Sequence, residues 1–141
     1  MTIRSATSQD ILNISILESE CFSDPWSEKE LNSIFQNPFY TLKVIEDNVI
    51  VGYYSTMTVD DTELLRICVK ASKRGKGYAK ALMEDLINTC SKDKIFLEVK
   101  NTNIPAIALY EKFGFVKFGV RKNYYGGGVD ALLYLYTKEG N

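Results

Sequence analysis

The sequence predicts an α+β protein built on one mixed β-sheet. Three runs rich in β-branched and aromatic residues follow one another between residues 40 and 69, and their connections are too short for anything but antiparallel pairing. A segment with helical periodicity then leads from the third run to a further strand at residues 94–99. Since a helix between two strands implies a parallel crossover, the sheet is predicted to be antiparallel first and parallel where this helix occurs.

The composition is typical of one soluble globular domain spanning residues 1–141. Of the 141 residues, 45% are hydrophobic and 25% are charged, and the net charge of −1 argues against a nucleic-acid partner. No apolar run approaches the roughly 20 residues that cross a membrane, and the first residues lack the apolar region of a signal peptide. We therefore expect a cytoplasmic protein with no membrane partner.

The sequence contains no histidine. This excludes Ser-His and Cys-His nucleophile pairs and most zinc sites, so the sequence predicts no metal. Proton transfer near neutral pH must then use carboxylates, Tyr, Lys, Cys or ordered water. The three cysteines, Cys21, Cys68 and Cys90, have no metal-ligand spacing and are expected to be free thiols.

The N-terminal half is predicted to hold four strands and two helices. Thr7–Asp10 starts the first helix, and Ser27 and Glu30 have the capping-box spacing that starts the second, which should end near Asn37–Pro38. The strands are residues 2–6, 40–46, 49–58 and 63–69. The apolar face of the first helix is predicted to contain Ile11, Ile14, Leu17 and Cys21, widened by Leu12 and Ile16.

The C-terminal half is predicted to hold two helices and three strands. One helix runs from a glycine-rich turn to about Ser91, and the other covers Ile104–Phe113, with Gly114 ending it. The strands are residues 94–99, 115–121 and 130–137. Three consecutive glycines, Gly126–Gly128, predict a mobile loop between the last two strands.

The glycine-rich stretch Arg74-Gly75-Lys76-Gly77-Tyr78-Ala79 joins a strand to the N-terminus of a helix. Such a turn leaves backbone N–H groups unpaired at the positive end of the helix dipole, and glycine lets a ligand come close to them. Arg74, Lys76 and Lys80 add positive charge. The stretch therefore predicts an anion site, for a phosphate or pyrophosphate above all.

Two common nucleotide-binding motifs do not fit this stretch. A P-loop requires Gly-x-x-x-x-Gly-Lys-Ser/Thr, and the residue after Gly77 is Tyr78. A dinucleotide fingerprint needs a glycine where Lys80 stands, and it follows the first strand of its fold rather than the fourth.

Three sets of residues resemble the Gcn-five-related N-acetyltransferase (GNAT) family, almost from end to end of the chain. The first is the order of elements, with residues 74–79 matching the family motif Arg/Gln-x-x-Gly-x-Gly/Ala. The second is Asn103-x-x-Ala106-x-x-Leu109-Tyr110-x-x-x-Gly114-Phe115. The third, Phe22 with Pro25-Trp26-Ser27, Leu97-Glu98-Val99 and Arg121-x-Asn123-Tyr124-Tyr125, resembles the family's ribosomal-protein-alanine N-acetyltransferases.

The resemblance implies a fold and a reaction. The fold is a mostly antiparallel seven-stranded sheet with one splayed parallel strand pair, flanked by about four helices. The reaction that the resemblance implies uses acetyl-CoA as the co-substrate, with its pyrophosphate bound by residues 74–80. The implied acceptor is a protein N-terminus, the N-terminal alanine of a small-subunit ribosomal protein, acetylated by direct transfer in a ternary complex. A lysine side chain or a small-molecule amine as acceptor, and a non-catalytic coenzyme A-binding domain, remain alternatives.

The resemblance assigns proton transfer to Glu98 and Tyr110. Glu98 interrupts an apolar strand, where partial burial would make it a better base for the acceptor amine, directly or through water. From the residues alone, it could equally be a solvated residue near a strand end. Tyr110 would donate a proton to the departing thiolate, although its spacing from Leu109 and Phe113 also fits a packing residue.

Four further residues are expected to contact the coenzyme. Ile67, Cys68 and Val69 would offer backbone groups to the thioester arm, which pairs with the strand edge in the family. Cys68 could instead carry the acetyl group covalently, but without a histidine to activate it we expect a buried core residue. Asn103 either caps its helix or contacts the coenzyme.

Aromatic residues outside the regular elements, Trp26, Tyr124 and Tyr125, often mark a recognition surface. A satellite hydrophobic cluster under a loop would show the same pattern. The resemblance makes these residues, together with Arg121, the walls of a groove for the N-terminal residues of the acceptor. Asp60, Asp61 and Glu63 would add negative charge for a basic acceptor, although turns are commonly acidic in any protein.

Overall fold

The computed structural model describes residues 1–138. Its strands are β1 (Thr2–Ser5), β2 (Tyr40–Asp47), β3 (Val49–Thr58), β4 (Thr62–Val69), β5 (Lys94–Lys100), β6 (Val116–Arg121) and β7 (Ala131–Thr137). Its helices are α1 (Ile11–Cys21), α2 (Glu28–Gln36), α3 (Tyr78–Thr89) and α4 (Ile104–Lys112). The predicted order of strands and helices is confirmed. Two short 3-10 turns, Ser8–Asp10 and Ala71–Lys73, were not predicted.

The seven strands form one mixed sheet in the order β1-β2-β3-β4-β5-β7-β6. β1 with β2, β2 with β3, β5 with β7 and β6 with β7 are antiparallel, whereas β4 and β5 are parallel. The parallel register places Thr62 opposite Ile95 and Glu63 opposite Phe96, close to the start of both strands. The predicted mixed sheet with one parallel pair is confirmed for the described residues.

The contacts of the chain divide it into two compact units, and the first comprises Met1–Thr58 and Leu65–Thr89. One of its core clusters packs α1 and α2 against strands, and the buried members of this cluster are Ile11, Ile14, Leu17, Leu31, Leu42, Val44, Tyr53 and Cys68. The prediction that Leu12 and Ile16 widen the apolar face of α1 is wrong. Both side chains are more than half exposed, because α1 buries only a narrow stripe.

The segment between α1 and α2 ends in the predicted capping box. The Ser27 hydroxyl accepts a hydrogen bond from the Glu30 N–H at 3.1 Å, and a Glu30 carboxylate oxygen accepts one from the Ser27 N–H at 3.3 Å. These reciprocal bonds satisfy two N–H groups at the helix end and fix where α2 begins. Residues 22–26 are therefore bounded by two defined helix ends.

The second unit comprises Val59–Leu64 and the described residues from Cys90 onward. Residues along β5 alternate between two faces of the sheet. Ile95, Leu97 and Val99 are buried on one face, whereas Phe96 and Glu98 lie half-buried on the other. Tyr134, opposite Leu97 on β7, donates a hydrogen bond to Glu111 of α4 at 2.7 Å, so α4 covers the buried face.

No helix within residues 1–138 is both long enough and apolar enough to cross a membrane.

A partly buried ion pair joins β1 to the residues just before α1 in the first unit. The guanidinium of Arg4 on β1 binds both carboxylate oxygens of Asp10, at 2.7 and 3.1 Å, and also contacts Glu46 of β2 at 3.2 Å. The Thr7 N–H donates to the same Asp10 carboxylate at 2.7 Å. Asp10 is only 6% exposed. Its hydrogen bonds, above all those from Arg4, nevertheless lower its pKa to about 2.

This pair predicts a specific acid sensitivity. Because the folded pKa of Asp10 lies below its unfolded value of about 3.9, its stabilisation is present above pH 4 and is lost as the pH falls toward 2. Asp10→Asn should lower the free energy of unfolding by about 2 kcal/mol at pH 7, measured by urea denaturation. The difference from the wild type should shrink toward zero near pH 2. The exposed-turn variant Asp60→Asn is the control, and an equal effect of both variants would contradict the assignment.

Candidate active site

The glycine-rich turn of the first unit is built as an anion site requires. Gly75 and Gly77 have φ values of +77° and +87°, a region that other residues rarely adopt. Apart from the glycine itself and its two chain neighbours, no described residue has an atom within 4 Å of a Cβ built on either glycine, so the backbone is open to a ligand. The Ala81 N–H donates to the Gly77 carbonyl at 3.1 Å, so the first N–H groups of α3 find no acceptor inside the helix.

The predicted cationic ligand Arg74 is engaged by its own chain. Its Nε donates to the Val69 carbonyl at 3.1 Å, and one terminal nitrogen lies 3.7 Å from the Sγ of Cys21. These contacts fix the start of the turn against β4 and α1. In this structure the Arg74 guanidinium therefore stabilises the turn, a role that its place in the motif did not reveal.

Tyr78, the first residue of α3, also has a structural contact that the sequence did not predict. Its hydroxyl donates a hydrogen bond to the carboxylate of Asp47, at the end of β2. This bond lowers the pKa of Asp47, and the positive charges of Lys73 and Lys76 lower it further. The side chain of Tyr78 thus ties α3 to β2, which leaves its backbone as the part able to face an anion.

The β4 residues predicted to offer backbone groups are largely buried. Ile67 is half-buried, and Cys68 and Val69 are buried. The Cys68 side chain packs into the core of the first unit, where contact with the Cys21 thiol and burial raise its pKa. A thiol held protonated is a poor nucleophile, so the structure favours a core role for Cys68 over an acetyl carrier.

In the second unit, Glu98 of β5 is paired with Arg121 of β6. The Glu98 carboxylate lies 3.4 Å from the Nε of Arg121, and 28% of the Glu98 side chain is exposed. Glu63 of β4 belongs to the same face, because it lies opposite Phe96 in the parallel register. Burial raises the pKa of Glu63, and the negative charge of Glu98 raises it further, against the opposing effect of Arg121. Two carboxylates and one guanidinium thus form one cluster.

Tyr110 of α4 lies on the other face of the same strand. Its ring centroid is 5.9 Å from that of Phe115, whose ring lies 5.3 Å from Tyr136, and Tyr136 is opposite Ile95 on the buried face. Tyr110 is 7% exposed, and burial raises its pKa to about 12. The two predicted proton-transfer residues therefore approach β5 from opposite faces.

Asn103 is confirmed as a helix cap. Its side-chain oxygen accepts a hydrogen bond from the Ala106 N–H at 3.3 Å, which satisfies one donor at the start of α4. Its predicted contact with the coenzyme stays a prediction.

Exposed aromatic residues flank the Glu98–Arg121 pair. The Arg121 guanidinium lies 5.3 Å from the ring centroid of Tyr124, and the ammonium of Lys100 lies 5.1 Å from that of Tyr125. The two tyrosine rings meet edge to face at 5.2 Å and are 54% and 41% exposed. Aromatic side chains with this exposure are suited to contact a substrate.

The loop that carries these tyrosines is held by hydrogen bonds, although three glycines predicted mobility. The Asn123 side chain accepts from the Gly128 N–H at 2.7 Å, and the Asn123 N–H donates to Asp130 at 2.8 Å. The three glycines at 126–128 adopt φ values of +79°, +61° and +81°. Their role is to permit this tight loop, which presents Tyr124 and Tyr125 to solvent.

Trp26 in the first unit is supported by residues that the sequence analysis missed. The guanidinium of Arg66 lies 4.5 Å from the Trp26 ring centroid and 4.3 Å from that of Phe22. The backbone N–H of Trp26 donates a hydrogen bond at 2.8 Å to the carboxylate of Glu18, a residue that is fully buried. One signal could have revealed this group: Glu18 lies on the apolar face of α1 and Arg66 interrupts β4, and buried charges of opposite sign are usually partners.

Within residues 1–138, no three acidic or cysteine side chains come together in a group that could hold a metal ion.

Comparison with known proteins identifies the family. The sequence model of the acetyltransferase (GNAT) family matches residues 11–115. A Bacillus subtilis protein provisionally named ribosomal protein bS18-alanine N-acetyltransferase is 34% identical, over 96% of this chain and 94% of its own length. The chain belongs to the GNAT acetyltransferase family.

Solved structures agree with this membership. The crystal structure of the ribosomal-protein-S18-alanine N-acetyltransferase from Escherichia coli has a TM-score of 0.90 and 30% identity, covering 99% of this chain and 96% of that one. A Salmonella typhimurium protein solved with its cofactor acetyl-CoA has a TM-score of 0.86 at 20% identity, covering 100% and 95% of the two chains. The latter likeness concerns the fold alone.

The open glycine turn leads to a binding prediction. Gly77→Ala should raise the dissociation constant for coenzyme A about tenfold, because a Cβ would occupy the space through which an anion approaches the backbone. Isothermal titration calorimetry measures this change. Gly126→Ala is the matched control, since Gly126 also has a positive φ and open space before it. Both variants should lose about 1–2 kcal/mol of stability from backbone strain, so equal losses of coenzyme affinity would contradict a role for the turn.

Proposed function

We propose that this protein transfers the acetyl group of acetyl-CoA to the N-terminal α-amino group of a protein. The observation that carries the proposal is the arrangement around β5, with the carboxylate of Glu98 on one face and the buried phenol of Tyr110 on the other. An acyl transfer to an amine needs a proton acceptor near the amine and a donor near the leaving group. The arrangement offers one such group on each face of β5.

The co-substrate assignment rests on the glycine turn and on the family. In the proposal, the backbone of Gly75, Gly77 and the first residues of α3 holds the pyrophosphate, and Lys76 and Lys80 add charge. Ile67, Cys68 and Val69 offer backbone groups to the thioester arm, and one N–H polarises its carbonyl. Asn103 is proposed to contact the coenzyme as well as to cap α4.

Glu98 is proposed as the base that takes the proton of the acceptor amine. An α-ammonium group has a pKa near 8, so a large fraction is charged at neutral pH and must lose a proton before attack. The cluster of Glu98, Glu63 and Arg121 holds two carboxylates for one guanidinium, which favours an incoming cation. Arg121, Tyr124 and Tyr125 are proposed to contact the first residues of the acceptor. Trp26 is proposed as a further acceptor contact.

Tyr110 is proposed to stabilise the departing thiolate. Burial raises the pKa of Tyr110 to about 12, whereas an ordinary thiol has a pKa near 8.5. Full proton transfer from Tyr110 to the thiolate would therefore be uphill by about 5 kcal/mol. A hydrogen bond from the protonated phenol to the developing negative charge avoids that cost. We therefore assign Tyr110 as a hydrogen-bond donor throughout the step, with the final proton reaching the thiolate from solvent.

The acceptor is proposed to be the N-terminal alanine of a ribosomal protein. The relatives from Bacillus subtilis and Escherichia coli are named for an activity on the alanine of ribosomal protein S18 and match nearly the whole chain. Thiol-release kinetics with acetyl-CoA test this with a peptide beginning Ala-Arg, beside a lysine-containing peptide with a blocked N-terminus. Faster turnover of the blocked peptide than of the Ala-Arg peptide would contradict the assignment of an N-terminal acceptor.

The roles of Glu98 and Tyr110 predict separate losses of rate. Glu98→Gln and Tyr110→Phe should each lower kcat by about 10²-fold or more, because each removes a group that acts on the reacting atoms. Glu111→Gln and Tyr134→Phe are matched controls, since they alter a second carboxylate and a second buried phenol that bond to each other. Near-normal rates in the first two variants, or equal losses in all four, would contradict the assignment.

The raised pKa of Tyr110 also predicts the shape of the pH profile. The phenol must stay protonated to donate, and a pKa of about 12 keeps it so well above pH 10. At saturating acceptor, kcat should therefore show no loss up to about pH 10 that depends on Tyr110. A descending limb centred below pH 10, absent from Tyr110→Phe, would show that Tyr110 titrates in its ordinary range.

A further inference from the structure

The segment between α1 and α2 is held in place by a side chain from β4. We propose that Arg66 is a positioning residue for the acceptor: it fixes Trp26 and the residues before it, and so sets the affinity for the acceptor peptide. The inference rests on the proposed function, in which Trp26 contacts the acceptor. Neither the motifs of the chain nor its relatives' names point to Arg66.

Arg66 contacts this segment on several sides at once. Its guanidinium lies 4.3 Å from the Phe22 ring centroid and 4.5 Å from the Trp26 ring centroid, so two aromatic rings contact one cation. One of its terminal nitrogens donates to the Asp24 carbonyl at 2.9 Å. The segment has no helix or strand of its own between Phe22 and Ser27, so these contacts define its conformation.

Arg66 is in turn fixed by a buried anion. Its terminal nitrogen lies 3.4 Å from the carboxylate of Glu18, a side chain with no exposed area. The same carboxylate accepts hydrogen bonds from the backbone N–H of Trp26 at 2.8 Å and from the hydroxyl of Tyr53. Glu18 therefore orients both the cation and the backbone of the residue that the cation contacts.

The arrangement around Arg66 includes a feature that should lower the stability of the fold. The Nε of Arg66 is buried and has no hydrogen-bond partner among the described residues. A buried charge pair with an unsatisfied donor is usually less stable than apolar residues of the same volume. A reason to keep it is the geometry it imposes, because a planar guanidinium can contact two rings and still bind a carboxylate.

The position of Arg66 links two parts of the proposed machinery. It directly precedes Ile67, Cys68 and Val69 on β4, the residues proposed to offer backbone groups to the thioester arm. A side chain on this strand therefore sets where Trp26 lies relative to the strand edge. Loss of the Arg66 contacts with this segment should weaken acceptor binding while leaving the chemistry of a bound acceptor intact.

Arg66→Lys tests the proposal while keeping the charge beside Glu18. Lysine cannot contact both rings, so the KM for the Ala-Arg peptide should rise about tenfold, with kcat and the KM for acetyl-CoA within about twofold of the wild type. Trp26 is the only tryptophan of the chain, so its fluorescence reports this site alone. The emission spectrum should change in Arg66→Lys, and titration with a tryptophan-free peptide should show the weaker binding directly.

Arg4→Lys is the matched control, because it breaks the bidentate pair with Asp10 in the same unit while leaving residues 22–26 untouched. It should lower stability without changing the peptide KM or the Trp26 emission. An unchanged peptide KM in Arg66→Lys, or a fall in kcat at unchanged KM, would overturn the role of Arg66. Absence of transfer to N-terminal peptides by the wild type would instead overturn the proposed function.

Discussion

A carboxylate with no exposed area must find donors inside the protein, and Glu18 imposes this requirement on the first unit. Its partners come from three places: the hydroxyl of Tyr53 on β3, the N–H of Trp26 after α1, and the guanidinium of Arg66 on β4. If one partner moved, a buried charge would be left short of donors. Helix, strand and connecting segment are therefore fixed by a single anion.

The alternation of side chains along β5 has a similar organising effect in the second unit. A strand sends neighbouring residues to opposite faces, so one strand can present a charged group to one side and pack an apolar row on the other. Glu98 is half-buried and pairs with Arg121, whereas its neighbours Leu97 and Val99 are buried on the face that α4 covers. The polar and apolar environments that shape Glu98 and Tyr110 thus follow from the period of two in a strand.

Local patterns predicted the order of elements and the capping box at Ser27, because each depends on residues close in sequence. The short connections and the helix before β5 predicted that the sheet is mixed. The exposure of Leu12 and Ile16 was not predictable in this way, since the width of the buried stripe of a helix is set by what packs against it. The pairing of Glu18 with Arg66 has the same cause: β4 brings together residues far apart in the chain. The side-chain partners of the motif residues likewise required the tertiary structure.

Arg74 is the one cation of the glycine turn whose contacts within the chain are defined here. It binds the Val69 carbonyl and contacts Cys21, so its guanidinium is held against β4 and α1. The open backbone near Gly75 and Gly77 is then the part of the turn that an anion can approach most closely. Recognition through backbone N–H groups is short-ranged and depends on geometry, so the turn should select for the shape of the bound group as well as for its charge.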